Sequence, residues 1–477
     1  MFNLADVQGN IVRGYPGKPC GYPGKPRVRH LVLEIADRTS ARRWLAACAS
    51  GGGNVPQITT GDWGAHKPVT CFNIGLTYEG LRALGTPDSS LETFPMEFIQ
   101  GMHARALKLG DVGESAPEHW PIPFNDPTRI HLVATIYASE VPQLNQVRDQ
   151  ALAGGALRLL GALDGCSLPR DLVHFGYSDN LTQPRFEGVH DAEHCAGRYE
   201  RQPKAPLGTV LLGYPTDFEG LKWRVPEPRQ LGHNGTFNAF RVLKQEVVAF
   251  EEFLSTAADY LLRQASVQEL LPLGAAAIGQ GLSTRDALRE VVAANICGRW
   301  RPSGTPLALS PDTPNPLPAV RMNDFDYDRA SPCPYGAHIR RCNPRGGQIV
   351  QRMANNGRRL VRRGVPYGPL YDPKNPLNPE PERGLLGNFI GASLGAQFEA
   401  MSCDWLNLGL QDPRITGSND PMVGANDPNT SWFDLPLRSG GRTIRLRRLP
   451  RFVKTRGGAY TFLPSLEAIR FLGSLVT

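Results

Sequence analysis

The sequence predicts an α+β protein made of two similarly patterned halves. Two observations support this prediction. Candidate strands and helices alternate along each half, and several strands alternate apolar with polar residues, as strands of an antiparallel sheet with one covered face do. A Pro-rich polar stretch at about residues 202–229 is typical of a connector between the halves. We therefore expect one domain over residues 1–204 and a second over residues 205–477.

Each half contains four predicted strands separated by helices. Apolar residues at a spacing of three to four mark the helices, and runs rich in β-branched residues mark the strands. The predicted strands cover residues 27–36, 71–77, 130–138, 156–164, 235–242, 359–363, 384–392 and 443–449. The predicted helices cover residues 38–48, 79–84, 141–153, 246–265, 284–296 and 396–407.

Bulk composition argues against several classes of protein. Hydrophobic residues make up 41% of the chain and charged residues 20%, enough to bury a sizeable core. No apolar run reaches the roughly 18 residues of a membrane span, and the N-terminus lacks the pattern of a secretory signal. The net charge of +7 is spread along the chain rather than clustered. We therefore expect neither a membrane nor a nucleic-acid partner.

Cysteine usage and glycine motifs point to a cytoplasmic protein without a nucleotide loop. The nine cysteines are odd in number and include no C-x-x-C pair, so reduced thiols are expected. A tandem Gly-Tyr-Pro-Gly-Lys-Pro repeat within residues 13–26 has Pro after each Lys, which predicts a surface loop rather than a phosphate loop. Gly279-Gln-Gly281 lacks a third glycine in register.

Four segments carry residues suited to chemistry, although each has a plain structural interpretation. Asp179 lies in a turn where Asp often caps backbone N–H groups, a lone histidine such as His338 is usually a core residue, and the Arg cluster at 358–363 suits a solvated strand edge. The segments are His174–Gly188, Ser331–Arg345, Arg358–Gly368 and Glu382–Glu399.

Taken together and in order, the four segments resemble the hallmark segments of the dye-decolourising peroxidase family. That pattern consists of a G-x-x-D-G turn, then C-P-x-x-A-H-I-R-x-x-N-P-R, then an Arg-x-G-x-P-Tyr strand, and then R-G-L-L…Q-F-E. Residues 6–13 and 456–466 also resemble the family's opening and closing segments, so the resemblance covers nearly the whole chain. It implies two ferredoxin-like halves, each with an antiparallel sheet and peripheral helices.

The resemblance implies a peroxidase that contains haem b (iron protoporphyrin IX). Such an enzyme reduces hydrogen peroxide and oxidises bulky aromatic donors such as dyes or phenolics. By position, His338 is the expected metal ligand on the proximal side of the haem, and Arg345 the expected partner of a haem propionate. Alternation along its strand puts Phe389 on the expected distal wall, although a plain core role fits it nearly as well.

On the distal side, the resemblance assigns the catalytic roles to Asp179 and Arg362. The Asp179 carboxylate would move a proton between the two peroxide oxygens, and the Arg362 guanidinium would stabilise the separating charge. Strand alternation points Arg362 and Arg363 to opposite faces, so only one of them can serve. The motif favours Arg362, and a one-residue slip would select Arg363.

The sequence departs from the family pattern at two positions. Asn180 replaces a turn glycine, and we expect the turn to survive because Asn tolerates positive φ. Ser393 stands where many members carry the carboxylate partner of the proximal histidine. A hydroxyl supports that histidine less, which predicts a higher Fe(III)/Fe(II) potential. Ser393 also keeps open an alternative function, a non-catalytic haem-binding or storage protein.

The expected partners are hydrogen peroxide and small aromatic reductants. The resemblance also suggests a homo-oligomer. The tail Gly473-Ser-Leu475 is similar to segments that dock enzymes inside protein shells. No flexible linker precedes it, and a closing helix explains it equally well, so an encapsulating shell is not expected.

Overall fold

A computed structural model describes most of the chain: residues 2–15, 24–63, 67–186, 188–189, 204–270, 282–301, 303–318, 321–327, 331–346, 352–437 and 441–475. Most of the predicted repeat at 13–26 and all of Gly279-Gln-Gly281 lie outside these residues. The seven described cysteines are all unpaired thiols. No helix in the described ranges is long and apolar enough to cross a membrane.

The described residues form twelve strands. In chain order, β1 to β12 are Arg27–Ile35, Cys71–Leu76, Leu132–Ala138, Leu157–Cys166, Arg185–Phe186, Lys204–Ala205, Thr236–Gln245, Val361–Tyr367, Gly384–Gly391, Trp432–Pro436, Thr443–Arg447 and Val453–Leu463.

The α-helices pack mainly around these strands. In chain order, α1 to α13 are Gly9–Val12, Arg38–Ser50, Tyr78–Ala83, Asp88–Leu91, Met96–Ala104, Ala106–Leu109, Val141–Leu152, Arg229–Gly232, Val247–Leu262, Thr284–Cys297, His338–Cys342, Arg352–Gly357 and Leu466–Gly473. Two π-helical segments, Leu394–Glu399 and Met401–Asn407, occupy the region predicted as one helix at 396–407. Short 3₁₀ turns lie at Leu4–Asp6, Gly113–Ser115, Pro117–His119, Pro127–Arg129, Pro169–Asp171, Leu207–Thr209 and Ala265–Glu269.

Eight of the strands form one antiparallel sheet with an internal repeat. Their order is β4-β1-β3-β2-β12-β7-β9-β8. The first four strands follow the order 4-1-3-2, and so do the last four when β7, β8, β9 and β12 are counted in chain order. This is the arrangement of two ferredoxin-like units placed side by side, so the predicted fold class is confirmed. The sheet runs continuously through Phe462 of β12 opposite Leu76 of β2, and the domain boundary at 204/205 stays a prediction.

Strand β12 was missed from the sequence although it lies in the middle of the sheet. Gly457 and Gly458 interrupt its apolar pattern, and most of its remaining residues are buried, so no alternation is left to detect. Gly457 is required because a Cβ there would lie 2.3 Å from the Phe124 ring. The strand therefore depends on tertiary packing that a local pattern does not express.

The two edge strands of the sheet, β4 and β8, approach each other. A Cβ on Gly165, near the end of β4, would lie 2.9 Å from the carbonyl oxygen of Pro366 in β8. The chain after β4 continues along this seam as residues 167–180, which lead into the Asp179 turn. The curvature of the sheet thus brings the Asp179 segment of the N-terminal half to strand β8 of the C-terminal half.

Candidate active site

The turn that carries Asp179 keeps its shape despite the Asn substitution. Gly176 has a φ of 86° and Asn180 a φ of 58°, so both take the left-handed conformation that the turn requires. The prediction that Asn180 preserves this turn is confirmed. The Asp179 N–H donates to the Asp171 carbonyl oxygen at 2.8 Å, which fixes the position from which the carboxylate projects.

Strand β8 presents its two arginines to opposite sides, as predicted. Nη1 of Arg362 lies 3.8 Å from Oδ1 of Asp179. Arg363 turns away and donates to the carbonyl oxygens of Asn10 at 2.9 Å and Ile11 at 3.2 Å. The structure therefore brings Asp179 together with Arg362.

Gln183 attaches the Asp179 segment to the open edge of strand β8. Its side-chain N–H donates to the Arg362 carbonyl oxygen at 2.9 Å, and its side-chain oxygen accepts the Arg362 N–H at 3.2 Å. Because β8 is an edge strand, these backbone groups have no strand partner. The amide thus substitutes for a strand partner at the residue whose side chain faces Asp179.

Asp179 and Arg362 line a cavity that opens to solvent. The space enclosed within its boundary, including the open mouth, is about 550 Å³. The Asp179 side chain is 33% exposed and that of Arg362 is 42% exposed, so small solutes reach both groups. The lining residues are Gly14, Ser167, Leu168, Asp171, Leu172, Val173, Asp179, Asn180, Gln183, Arg362, Arg363, Gly364 and Pro366.

His338, the first residue of α11, is paired with a buried carboxylate. Its Nδ1 lies 3.0 Å from Oδ2 of Asp420, whose side chain is fully buried. The other oxygen of Asp420 accepts the N–H groups of Met422 at 2.8 Å and Val423 at 2.9 Å. The carboxylate is held rigidly. Because Nδ1 is committed to Asp420, Nε2, which lies 3.7 Å from Sγ of Cys342, is the ring nitrogen that could bind a metal.

The expectation that Ser393 occupies the place of this carboxylate is wrong. The Ser393 hydroxyl instead accepts the Ala396 N–H at 3.2 Å and caps the first π-helical segment. Asp420 lies 82 positions beyond His338 in the sequence, outside all four hallmark segments. Only its turn-forming neighbourhood, Ser-Asn-Asp-Pro, signalled a structured carboxylate, and nothing in the sequence indicated its partner.

The pair of His338 and Asp420 is strongly coupled electrostatically. Burial works against a charged imidazole, but the Cys342 thiol and the Asp420 carboxylate outweigh it and raise the pKa of His338. Burial also opposes the Asp420 charge, yet His338 keeps the pKa of that carboxyl below its usual value. The carboxylate therefore favours positive charge on the ring, and in a complex it would equally support a bound cationic metal.

Helix α10 connects the Asp179 side of the site with the His338 side. The hydroxyl of Tyr177, two residues before Asp179, donates to the Ala293 carbonyl oxygen at 2.8 Å. At the end of the same helix, a Cβ on Gly298 would lie 2.5 Å from the Ile339 side chain, next to His338. These two contacts are about 7.5 Å apart along the helix axis. The segment before Asp179 and the residue after His338 thus pack against positions of α10 that are about one and a half turns apart.

Arg345 lies in a buried cationic region suited to an anion. Its Nη1 donates to the carbonyl oxygens of Asn323 at 3.0 Å and Phe325 at 2.8 Å, while its buried Nε has no hydrogen-bond partner in the described ranges. Arg299 is also buried, and desolvation lowers its pKa to about 10. Among the described residues, no carboxylate lies within salt-bridge distance of Arg299. The buried Arg299 and the partly buried Arg345, which also interacts with Asp326, are guanidinium donors suited to the carboxylates of a haem.

Phe389 shares a sheet face with Arg362 but is not in the solvent-connected cavity. The two residues are direct partners in the pairing of β8 with β9, so their side chains project from the same face. The Phe389 ring packs against Phe398 with a centroid distance of 5.4 Å. Its place on a distal wall stays a prediction.

Known proteins with related sequences are peroxidases. The chain is 28% identical to the dye-decolorizing peroxidase msp1 of Mycetinis scorodonius over 98% of this chain and 87% of that protein. It is 28% identical to the multifunctional dye peroxidase DyP2 of an Amycolatopsis strain, covering 98% and 96% of the two chains. A dye-decolorizing peroxidase of Mycena epipterygia is 29% identical over 84% of this chain and 76% of its own length. No protein-family model matches the chain.

Solved structures give the same result for the fold. One is a dye-decolorizing peroxidase in complex with 2,6-dimethoxyphenol, with 26% identity, a TM-score of 0.78, and coverage of 99% of this chain and all of that one. A second is a variant of such a peroxidase in complex with cyanide, with 27% identity, the same TM-score and the same coverage. Relatives and solved structures agree along nearly the entire chain, so the chain has the fold of dye-decolourising peroxidases and is similar to them in sequence.

Proposed function

We propose that this peroxidase binds haem b between His338 and the Asp179–Arg362 pair and uses hydrogen peroxide to oxidise aromatic donors. One observation carries the proposal most directly. Asp179 and Arg362 face each other in a solvent-connected cavity, while a buried carboxylate holds His338 by one ring nitrogen. A carboxylate, a guanidinium and a supported imidazole around one site are the groups that haem peroxidase chemistry requires.

The residues that would hold the haem are His338 and Arg345. His338 offers Nε2 to the iron because Asp420 accepts the proton of Nδ1. Arg345 offers its unpartnered Nε–H to a propionate. When bound, the haem supplies the electrons that reduce peroxide to water and afterwards recovers them from the donor.

Asp179 would serve as the acid–base group. Its carboxylate can accept the proton from one peroxide oxygen and return it to the departing oxygen, since both atoms pass within reach of a single side chain. The guanidinium of Arg362 stabilises the negative charge that develops as the oxygens separate. Its Nη2 donates to the Thr182 carbonyl oxygen at 2.9 Å, which holds the group in place beforehand.

The donors we propose are small aromatic reductants and bulkier dyes or phenolics. Relatives named for dye oxidation and a related structure in complex with 2,6-dimethoxyphenol support this class. The cytoplasmic location and a homo-oligomeric state stay predictions.

The alternative of a non-catalytic haem-binding protein loses its main argument. That alternative depended on Ser393 replacing the proximal carboxylate, whereas Asp420 supplies the carboxylate and Asp179 with Arg362 supply a distal acid–base pair. We therefore keep the catalytic function alone.

The test is the reaction of the haem-loaded protein with hydrogen peroxide, followed by stopped-flow absorbance. We expect the wild type to react rapidly and Asp179→Asn to react about 100-fold or more slowly while it retains its haem. Equal peroxide rates for the two proteins would contradict the proposed role of Asp179. Haem binding without any peroxide reaction in the wild type would contradict the peroxidase function itself.

A further inference from the structure

Asn323 lies between the candidate propionate anchor and the Asp179–Arg362 pair. It is 4% exposed, and its hydrogen-bonding groups reach both sides. Its carbonyl oxygen accepts Nη1 of Arg345 at 3.0 Å. Its side chain accepts the Thr182 hydroxyl at 2.5 Å and donates to the Leu181 carbonyl oxygen at 2.6 Å. Asn323 thus bonds to the residues that follow the Asp179 turn.

Thr182 carries this connection on to the distal arginine. While its hydroxyl bonds to Asn323, its carbonyl oxygen accepts Nη2 of Arg362 at 2.9 Å. The next residue, Gln183, holds the backbone of Arg362 through two further hydrogen bonds. The position of residues 181–183 therefore determines where the Arg362 guanidinium lies relative to Asp179.

Arg299 makes the Asn323 side chain rigid. Its Nη2 donates to Oδ1 of Asn323 at 3.1 Å, and its Nη1 donates to the carbonyl oxygens of Gly304 and Met322. A buried cation gains from each hydrogen bond that replaces lost hydration, so these contacts are costly to break. The network is thus suited to transmit a small displacement rather than absorb it.

We propose that Asn323 and Thr182 are positioning residues that couple the haem-anchoring Arg345 to the distal Arg362. The proposal rests on the proposed haem site. When a propionate engages Arg345, the guanidinium pulls on or releases the Asn323 carbonyl, and the Asn323 side chain passes the shift to Thr182. The distal pair then takes its reactive arrangement only when the cofactor is correctly seated.

The test measures cyanide binding to the haem-loaded ferric protein by absorbance, because hydrogen cyanide must lose a proton at the distal side without any turnover. Thr182→Val removes the hydroxyl at nearly constant shape, together with its bonds to Asn323 and Arg299, and we expect a dissociation constant about 5- to 20-fold higher. Thr182→Ser keeps the hydroxyl and should restore a constant close to that of the wild type.

A matched control is Asn238→Ala. Asn238 of β7 is buried in the eight-stranded sheet that also contains Arg362. Its side chain bonds to Asn388 and Thr461 and not to Asn323, Thr182 or Arg362. A general loss of stability would affect this variant too, whereas the proposal predicts an unchanged cyanide constant. If Thr182→Val binds cyanide like the wild type, or if Asn238→Ala weakens it equally, the proposal is overturned.

The coupling is tested from its other end with Arg345→Met. We expect weaker cyanide binding in the wild-type background but little additional loss when Thr182→Val is already present, because both changes interrupt one network. Fully additive losses of cyanide affinity in the double variant would overturn the coupling. An unchanged cyanide dissociation constant in Arg345→Met would also overturn it, and this measurement does not require that the Thr182→Val protein can be produced. A wild type that binds no haem would instead refute the proposed function.

Discussion

The two ring nitrogens of His338 have separate tasks. Nδ1 is committed to the buried Asp420 carboxylate, which in turn is fixed by two backbone N–H groups. This arrangement sets both the orientation of the ring and the basicity of Nε2. The family pattern placed this carboxylate at the position of Ser393, and that expectation failed because the partner comes from a distant turn rather than from the strand before the π-helical segment.

Replacing Asp420 by Asn tests the carboxylate at nearly constant size. We expect Asp420→Asn to raise the Fe(III)/Fe(II) potential and to lower haem affinity or peroxide reactivity by about 10- to 100-fold, as loss of an outer-sphere partner of a metal-bound histidine does. A redox titration measures the potential, and stopped-flow kinetics measure the rate of the peroxide reaction. Ser393→Asp is the matched control and should leave the potential unchanged, so a downward shift there would contradict the assignment.

Arg362 and Arg363 differ in what their side chains contact. We expect Arg362→Leu to slow the peroxide reaction by about 100-fold or more, because a preorganised charge on the separating oxygens is lost. Arg363→Leu should lower the free energy of unfolding by about 1–3 kcal/mol, because buried carbonyl oxygens of α1 lose their donor. Peroxide kinetics and urea unfolding of both variants distinguish these effects. A slow peroxide reaction in Arg363→Leu together with a normal rate in Arg362→Leu would refute the assignment of Arg362.

At the scale of elements, helix α10 needs a residue without a side chain at its end. Gly298 has a φ of 93°, and a Cβ there would lie 2.5 Å from Ile339 in α11. We expect Gly298→Ala to destabilise the protein by about 1–2 kcal/mol through the left-handed conformation alone. Because α11 carries His338, we also expect faster loss of haem.

The control for this prediction is Gly51→Ala at the end of α2. Gly51 has a similar φ of 82°, and the nearest atom to its Cβ position is 3.9 Å away on Gln57. Urea unfolding should show a larger loss of stability in Gly298→Ala, which adds the contact with Ile339 to the strain of the left-handed conformation, and transfer of haem to an acceptor protein should accelerate only in that variant. Equal haem loss in the two variants would show that packing of α10 on α11 does not control the site.

At the scale of the whole molecule, the sequence predicted the pattern of each half better than their joining. The local pattern of apolar and β-branched runs identified strands such as β1 and β3, which are buried along most of their length. It missed β12, where buried residues and two glycines erase the pattern, and it could not reveal that β4 and β8 meet. The motifs singled out Asp179, Arg362 and His338 as candidates, whereas Asp420, Gln183 and Asn323 are brought to them by contacts between distant segments that no local spacing encodes.

The buried His30 makes the stability of the fold depend on pH. It lies fully buried in β1 with Nδ1 3.0 Å from the Thr135 hydroxyl, and burial lowers its pKa from 6.5 to about 3. Since the unfolded chain takes up the proton first, stability falls as the pH drops below about 6.5 and continues to fall towards the folded-state pKa. The expected cost is about 1.4 kcal/mol per pH unit in this range.

Urea unfolding of wild type and His30→Gln between pH 6 and pH 4 measures this cost. The variant lacks the group that titrates, so its stability should decline less steeply by about 1.4 kcal/mol per pH unit. Replacement of the exposed His119 by Gln serves as the surface control for exchanging a histidine. A wild-type slope in His30→Gln would show that His30 is not a source of the acid sensitivity.

The most direct test of the account is the visible absorption spectrum of the purified protein loaded with haem, before and after one equivalent of hydrogen peroxide. The account predicts a Soret band of a histidine-bound ferric haem that shifts on addition of peroxide in the wild type, and loss of that band in His338→Ala. A wild type that takes up no haem, or a His338→Ala variant with the wild-type spectrum and the same response to peroxide, would contradict it.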